Sequence, residues 1–442
     1  MGVRNGLPTR LSRLTAILGT LAAFAFAAAP AAAQTPEGFV VADGDRFGIV
    51  SGGSVQPWRP VGYNQYRLTA APGGYVCDGR YGEVSDAKLG VWLDQIRASG
   101  ATVVRTWFFQ SQFDADGTGP GEGSFAAFDR VVQGAAARGM KVIPVLVNHW
   151  ADCEFDGSAK TVEFYESGYR EAGYGYGRSY LEYARTVAAH YADEPAIAFW
   201  QLVNEAEAPL PGGGCDEDRG ANALRGFAAA MTAAIGEVDP NHLVSLGTMG
   251  SGQCGTSDRN YRRVHEPVDV AEYHDYDDAG NSQDDPDNPI PGDQWNGLAA
   301  RLEQTGPRGL NKPLFVGEAG IRADVAGAID AASLQLRAEF FAAKIQTQMA
   351  AGVDGFLLWE KVLEPTDAPD VAGGHEAYGI GYGDPTEDVT RRFGQPWDGT
   401  AEPWTGEPPT AVGPGSKPRG KCKPKRGGGR KGKQGKGRRC PR

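Results

Sequence analysis

The chain predicts one large (β/α)₈ barrel, and three observations carry that prediction. Eight apolar runs of strand length recur along it, apolar throughout instead of alternating, as expected of parallel strands covered on both faces. Amphipathic segments lie between runs and end in glycine just before the next run, which is the chemistry of a short helix-to-strand connection. Polar and charged residues gather at the C-terminal ends of the runs, where barrels of this kind carry their working groups. With 442 residues, 41% hydrophobic and 22% charged, the chain holds enough apolar material for one such core. A doubly wound open sheet is the alternative. Eight strands are many for one open sheet, and no G-x-G-x-x-G follows the first run to indicate a dinucleotide.

Residues 1–34 read as a secretory signal peptide: Arg4, Arg10 and Arg13 precede an apolar stretch from Leu14 to Ala29, and small residues Ala31 to Ala33 suit cleavage. Residues 35–410 are expected to form the barrel domain. No second apolar run reaches membrane-spanning length, so the body is expected to be soluble. Phe39–Val41 and Phe47–Val50 flank Asp43-Gly44-Asp45 and predict a β-hairpin that caps the barrel bottom. The eight strands are predicted near Trp58–Gly62, Thr102–Arg105, Lys141–Val147, Ala196–Val203, Leu243–Leu246, Val268–Tyr273, Leu314–Gly317 and Gly355–Trp359. Leu89, Trp92, Leu93 and Ile96 mark one helical face before Gly100, and Phe125, Phe128, Val131, Val132 and Ala135 another before Gly139. A third helix runs from Phe340 to Met349 and stops at Gly352.

Residues 411–442 are expected to be a disordered basic tail: from Ser416 to Arg442 there are seven Lys and six Arg and no acid. The whole chain nevertheless carries a formal net charge of −11, so the body is strongly acidic, the opposite of a nucleic-acid-binding domain. The tail reads as solvated or as an electrostatic contact with an anionic cell envelope. Export permits disulfides. Of six cysteines, Cys422 and Cys440 lie in the tail and Cys77, Cys153, Cys215 and Cys254 in the body, all in loops after strands. Cys77 with Cys153 and Cys215 with Cys254 is the preferred pairing, although sequence leaves the connectivity open.

Two glutamates, Glu205 and Glu318, each close an apolar run, and a carboxylate at the tip of a buried strand is costly unless it has a task there. The other strand ends supply Asn64 and Tyr66, then Arg105 and Trp107, then Asn148, His149 and Trp150, then Asn204, then His274 and Tyr276, and finally Trp359. Glycoside cleavage needs these types. One carboxyl protonates the leaving oxygen and one carboxylate attacks the anomeric carbon. Arg105 holds the attacking group ionised, Tyr276 donates to it, and Asn204 binds the sugar 2-hydroxyl. Trp107 and Trp359 offer stacking faces for sugar rings. The acidic segment from Asp275 to Asp287 reads as a solvated loop, since it lacks the spacing of a calcium loop. Neither metal nor cofactor is expected.

The pieces Val104-Arg105-Thr106-Trp107, Trp200-Gln201-Leu202-Val203-Asn204-Glu205, Tyr273-His274-Asp275-Tyr276, Val316-Gly317-Glu318 and Leu358-Trp359 resemble glycoside hydrolase family 5, from about Phe39 to Trp359. The resemblance implies that Glu205 is the acid/base and Glu318 the nucleophile, with retention at the anomeric carbon. It also implies that Arg105, Asn204, His274, Tyr276 and Trp359 line the subsite where the bond breaks. The closest branches are the endo-β-mannanases and cellulases. Two departures stand out. The third strand ends in Asn148-His149, which leaves the register there open, and Ala206 replaces the proline usual after Asn-Glu. The expected function is thus a secreted, monomeric endo-β-glycosidase acting on a β-1,4-linked polysaccharide, β-mannan first and β-glucan second. It would use neither a nucleic-acid partner nor stable membrane insertion. A non-catalytic carbohydrate-binding barrel is the competing class, and an opposed pair of carboxylates gives a binder no advantage.

Overall fold

Eight parallel strands close on themselves in the computed structural model, which describes residues 35–71, 83–114, 123–276, 298–363 and 378–394. They are preceded by a three-stranded antiparallel sheet of β1 (Val40–Asp43), β2 (Arg46–Ser51) and β3 (Ser54–Pro57). The barrel strands are β4 (Val61–Asn64), β5 (Val103–Trp107), β6 (Lys141–Val145), β7 (Phe199–Gln201), β8 (Leu243–Ser245), β9 (Ala271–Asp275), β10 (Leu314–Ala319) and β11 (Gly355–Leu358). Their order is β8-β7-β6-β5-β4-β11-β10-β9, and a parallel bridge from Ser245 to Val270 joins the two ends into a ring. Of the two units into which the chain divides, residues 1–35 and 36–442, the first lies outside the described residues except for Thr35. Also outside them lie the segment read as a signal peptide, Cys77, the acidic segment from residue 277 onward, and residues 411–442 with Cys422 and Cys440. Among the described residues, no helix is long and apolar enough to cross a membrane.

Strand boundaries depart from expectation where a backbone group could not pair. The first barrel strand starts at Val61, not Trp58, because Pro60 has no N–H to give to a ladder. Trp58 sits instead at the bottom, 6.0 Å edge-on from Phe47. Strand β7 is only three residues long, although Ile197 and Asn204 on either side still bridge Val142 and Asn148. Strand β9 runs on to Asp275, past the predicted end at Tyr273. Strand β3 was unforeseen, since all four of its residues are exposed and it carries no apolar pattern.

Alternation within the buried strands sorts the barrel interior into layers. Val103, Ile143, Phe199, Val270, Phe315 and Leu357 make an apolar floor with Val40 and Phe47 of the hairpin. The Phe47 ring stacks on Phe199 at 5.5 Å and meets Phe315 edge-on at 6.4 Å, so the hairpin plugs the bottom as predicted. Burying that one ring stabilises the closure by about 2–3 kcal/mol. One step up, Arg105, Gln201 and Glu272 lie two residues further along β5, β7 and β9, each fully buried. The opposite faces of the strands pack against the helices.

The helices follow their caps and apolar faces. Asp86–Ala98 is capped by Ser85, whose hydroxyl accepts from the Lys88 amide, and it buries Leu89, Trp92, Leu93 and Ile96 as predicted. Ala126–Ala136 buries Phe128, Val131, Val132 and Ala135. Ala331–Ala351 is longer than expected at its start, where Asp330 caps it, and it ends at Gly352 with φ +115°, a conformation that favours glycine. This helix presents Lys344 and Gln348 to the outward side of β9, where both bind the Asp275 carboxylate at 2.8 and 2.7 Å. Asp275 is therefore a fully buried ion-pair partner and no part of a solvated loop.

Cys215 and Cys254 form the predicted disulfide. It ties the loop before the helix Glu217–Gly236 to the loop after β8, where Glu217 also accepts hydrogen bonds from the Gly255 and Ser257 amides. Cys153 is disulfide-bonded as well, and Cys77, its expected partner, lies outside the described residues. Replacing Cys215 and Cys254 by serine is expected to cost about 2–4 kcal/mol. Urea unfolding of both forms checks this, and equal midpoints would show that the bridge contributes nothing.

Candidate active site

Two local backbone features aim the carboxylates. In β10, Val316 pairs with Tyr273 but Glu318 pairs with His274, so Gly317 is an extra residue that shifts the register. The shift turns Glu318 to the same inward face as His274. Glu205, just past β7, has φ +57°, a left-handed conformation that costs a non-glycine residue about 1–2 kcal/mol. Next to it, the Ala206 amide donates to the Gly247 carbonyl at 2.8 Å. Proline has no hydrogen to give at that position, which accounts for the departure noted in the sequence.

The result is a pair of opposed carboxylates. One oxygen of Glu205, one of Glu318 and one ring nitrogen of His274 all lie within 4.8 Å of one another. Glu318 accepts from Arg105 Nη1 at 2.8 Å on one oxygen and from the Tyr276 hydroxyl at 2.7 Å on the other. Glu205 accepts from Trp150 Nε1 at 2.6 Å, and His274 Nδ1 lies 2.9 Å from its other oxygen. His274 Nδ1 is also 3.6 Å from Glu318, and its Nε2 is 3.1 Å from Glu272.

Arg105 organises the layer beneath. Its guanidinium is fully buried and donates to Gln201, Asn64, Glu318 and Asn204 at 2.6–2.8 Å, and it lies over the Trp107 ring at 4.9 Å. Asn64 passes its own amide to the Gly317 carbonyl at 2.9 Å, which anchors the register shift beside Glu318. Asn204 donates to Asn148 at 3.0 Å, and Asn148 to the Asp152 carbonyl at 3.1 Å. Asn64, Arg105 and Asn148, all expected to bind substrate, are buried and bonded to one another's neighbours in this layer. His149 lies apart from them. It is buried, 3.2 Å from Glu207 and 3.4 Å from the Tyr165 hydroxyl, and does not join the carboxylate pair.

The groups open to the mouth are different. Trp150 is 39% exposed, Trp359 is partly buried, and Tyr66 stacks on Trp359 at 5.8 Å with Trp107 tilted against both. Sequence reasoning did not single out Gln201 or Glu272. Their signal was a charged or amide residue at two-residue spacing inside an otherwise apolar run.

Electrostatics follow from this packing. Burial works against a charged His274, but the Glu318 charge and the hydrogen bonds to Glu205 and Glu272 overcome it and push the ring up to about 10. Burial also raises Glu205, yet the His274 hydrogen bond and charge and the Trp150 donor outweigh it and hold this carboxyl below the ordinary value. Glu318 sits above its ordinary value because burial exceeds the pull of His274 and Arg105, and Glu205 repels it. Burial and the two glutamates keep the Tyr276 phenol protonated. Among the described residues two groups bring together side chains of metal-ligating type: Glu205, His274 and Glu318, and Cys215, Glu217 and Cys254, the latter with its sulfurs in a disulfide.

Comparison with known proteins places this geometry. Mannan endo-1,4-beta-mannosidase F of Aspergillus fumigatus is 30% identical over 201 residues, 40% of this chain and 42% of that protein. A probable mannan endo-1,4-beta-mannosidase A-2 of Aspergillus terreus is 23% identical over 354 residues, 71% of this chain and 82% of that protein. The chain thus spans about two-fifths of the first of these relatives. In fold it is similar to the endo-1,4-beta-mannanase of Rhizomucor miehei, with TM-score 0.55, 19% identity, and 80% and 97% of the two chains covered. A mannanase of Thermotoga petrophila gives TM-score 0.54 at 21% identity, with 76% of each chain covered. Residues 77–350, more than half of the chain, match the profile of Cellulase (glycosyl hydrolase family 5), and the chain belongs to that family.

Proposed function

We propose that the protein is a secreted, retaining endo-β-mannanase that cleaves β-1,4-linked mannan by double displacement, with Glu318 as nucleophile and Glu205 as acid/base. The carrying observation is the approach of the Glu205 and Glu318 oxygens to within 4.8 Å, since retaining glycosidases hold their carboxyl groups about 5–5.5 Å apart and inverting ones leave room for a water. The names of the relatives favour mannan among the substrates of the family, and the basic and apolar segment over residues 1–34 supports export.

The residues divide the work. Glu318 attacks the anomeric carbon while Arg105 and Tyr276 hold its two oxygens in line. Glu205 gives a proton to the departing oxygen, then takes one from the water that releases the glycosyl-enzyme. His274 holds Glu205 below its ordinary value in the free site, and the 2.9 Å contact between His274 Nδ1 and Glu205 is a route by which a proton reaches this carboxyl when a leaving oxygen arrives. Trp150, Trp359 and Tyr66 line the mouth with faces for sugar rings.

Incubation with mannan, cellulose, xylan and β-1,3-glucan, with product lengths resolved, tests the reading. Short manno-oligosaccharides are expected from mannan. Cleavage of cellulose alone would move the substrate to the glucanases, and no cleavage of any polymer would end the proposal. Glu205→Gln is expected to lose about 10²–10⁴-fold on mannan. Its kcat/KM on an aryl β-mannoside with a good leaving group should fall far less, because that group departs unprotonated. Equal losses on both substrates would remove Glu205 from the acid role.

A further inference from the structure

Glu272 lies directly beneath the candidate active site and plays no part in the chemistry described so far. It is fully buried in β9, two residues before His274 and on the same inward face. Gln201 Nε2 and the Ser245 hydroxyl (3.3 Å) donate to one of its oxygens. The other oxygen faces His274 Nε2 at 3.1 Å and Arg105 Nε at 4.0 Å. Gln201 and Ser245 are donors and Arg105 is a cation, which is the environment of an ionised carboxylate. Strand β10 is shaped around it as well. A methyl group on Gly317 would stand 1.9 Å from Glu272 Oε1, so the residue that shifts the β10 register is also the one that leaves this carboxylate its space.

A charge at the dry centre of a barrel is expensive unless it acts on a partner. The partner here is His274. With Glu272 against Nε2, a bare lone pair on that nitrogen would face a carboxylate, so Nε2 keeps its hydrogen and the second hydrogen of the ring is the one on Nδ1. We propose that Glu272 is a positioning residue that holds His274 doubly protonated, so that the Nδ1 hydrogen stands ready for Glu205 to use in leaving-group protonation. The proposal rests on the glycosidase reading above.

Among the described residues, the charged groups facing the His274 ring or its partners include Glu205 after β7, Glu318 on β10, Glu272 on β9 itself, and Arg105 on β5 against Glu272 and Glu318. The neutral Tyr276 hydroxyl completes the set on Glu318. In the first displacement the Nδ1 proton passes to the carboxylate of Glu205, and Glu205 delivers that same proton to the glycosidic oxygen as its bond to the anomeric carbon breaks. The imidazole is left neutral with its Nε2 hydrogen on Glu272. In the second, the attacking water gives its proton to Glu205 and so back to Nδ1, and nothing is consumed. Loss of that proton at high pH leaves no acid, so Glu272 sets the basic limb of the kcat/KM profile.

Glu272→Gln preserves size and an oxygen that accepts the Nε2 hydrogen, but removes the charge. On manno-oligosaccharides the basic limb of kcat/KM is expected to fall by about one to three pH units, the effect of removing a close opposite charge. KM at pH 6 should change little. On an aryl β-mannoside with a good leaving group the variant should approach the wild type, whereas a merely structural defect would lower both substrates alike. Imidazole nitrogen shifts of His274, followed by NMR against pH, should show Nδ1 losing its proton earlier in the variant, and this readout needs no turnover. Should Glu272→Gln fail to fold, Gly317→Ala displaces the same carboxylate by contact and is expected to move the limb in the same direction. A folded variant of either kind with the wild-type limb and the wild-type His274 titration overturns the proposal. Failure of the glycosidase reading looks different: the wild-type protein then cleaves no polysaccharide, while the His274 titration still responds to Glu272.

Discussion

Glu318→Gln is expected to lower turnover of mannan by roughly 10⁴–10⁶-fold, the loss seen when a covalent nucleophile is removed from a site that otherwise still binds. An amide oxygen in place of the carboxylate still accepts from the Tyr276 hydroxyl but cannot form a glycosyl ester. The fold should be retained, because glutamine has nearly the same volume in a site that is only 3% exposed. Some of the lost attraction to Arg105 is offset by no longer holding a buried anion. Oligosaccharide binding by calorimetry should therefore survive while cleavage disappears. A variant within tenfold of the wild type on mannan would take the nucleophile role away from Glu318.

Arg105→Met should cost about 3–5 kcal/mol of stability, the usual result of removing one partner from a buried ionic network. The side chain is fully buried, and its three nitrogens satisfy acceptors on Asn64 of β4, Gln201 of β7, Asn204 just past β7 and Glu318 of β10. Methionine fills a similar volume, so the loss reports charge and hydrogen bonds more than packing. A consequence for pH follows with a definite sign. Burial already raises Glu318, and Arg105 is one of the two cations that pull it back. Without Arg105 the nucleophile protonates at higher pH, so the acidic limb of kcat/KM should move upward. Arg105→Lys should recover charge but little activity, since one ammonium cannot reproduce the planar fork that reaches four acceptors. Denaturant unfolding and pH profiles of both variants check this, and an Arg105→Met protein as stable as the wild type would show that the network is dispensable.

Much of the fold was legible because its signals are local. Helical faces such as Leu89, Trp92, Leu93 and Ile96, and the stop at Gly352, follow from spacing and from one backbone conformation, and the structure places them as read. The hairpin plug was legible for the same reason, since Asp43-Gly44-Asp45 announces its turn and Phe47 its buried face. Strand β3 was not, because four exposed residues have no pattern to read. Within the candidate site, residues at strand ends were visible one by one, but their orientation was not. His149 stood in the sequence beside Asn148 and Trp150 as an equal, yet it turns toward Glu207 and Tyr165. Asp275 looked like the start of an acidic loop, and it is the buried partner of Lys344, 69 residues away in sequence.

Residue type and periodicity by themselves determined that this chain builds eight covered parallel strands with acids, amides and aromatic rings at their C-terminal ends. Tertiary structure alone decided which of those groups meet. The extra residue in β10, the left-handed turn at Glu205 and the closure of the ring from Ser245 to Val270 set how Glu318, Glu205 and His274 face one another, and how Glu272 lies beneath them. Each depends on pairing between strands far apart in the chain, where a shift of one residue sends a side chain to the opposite face, and no local pattern carries that information.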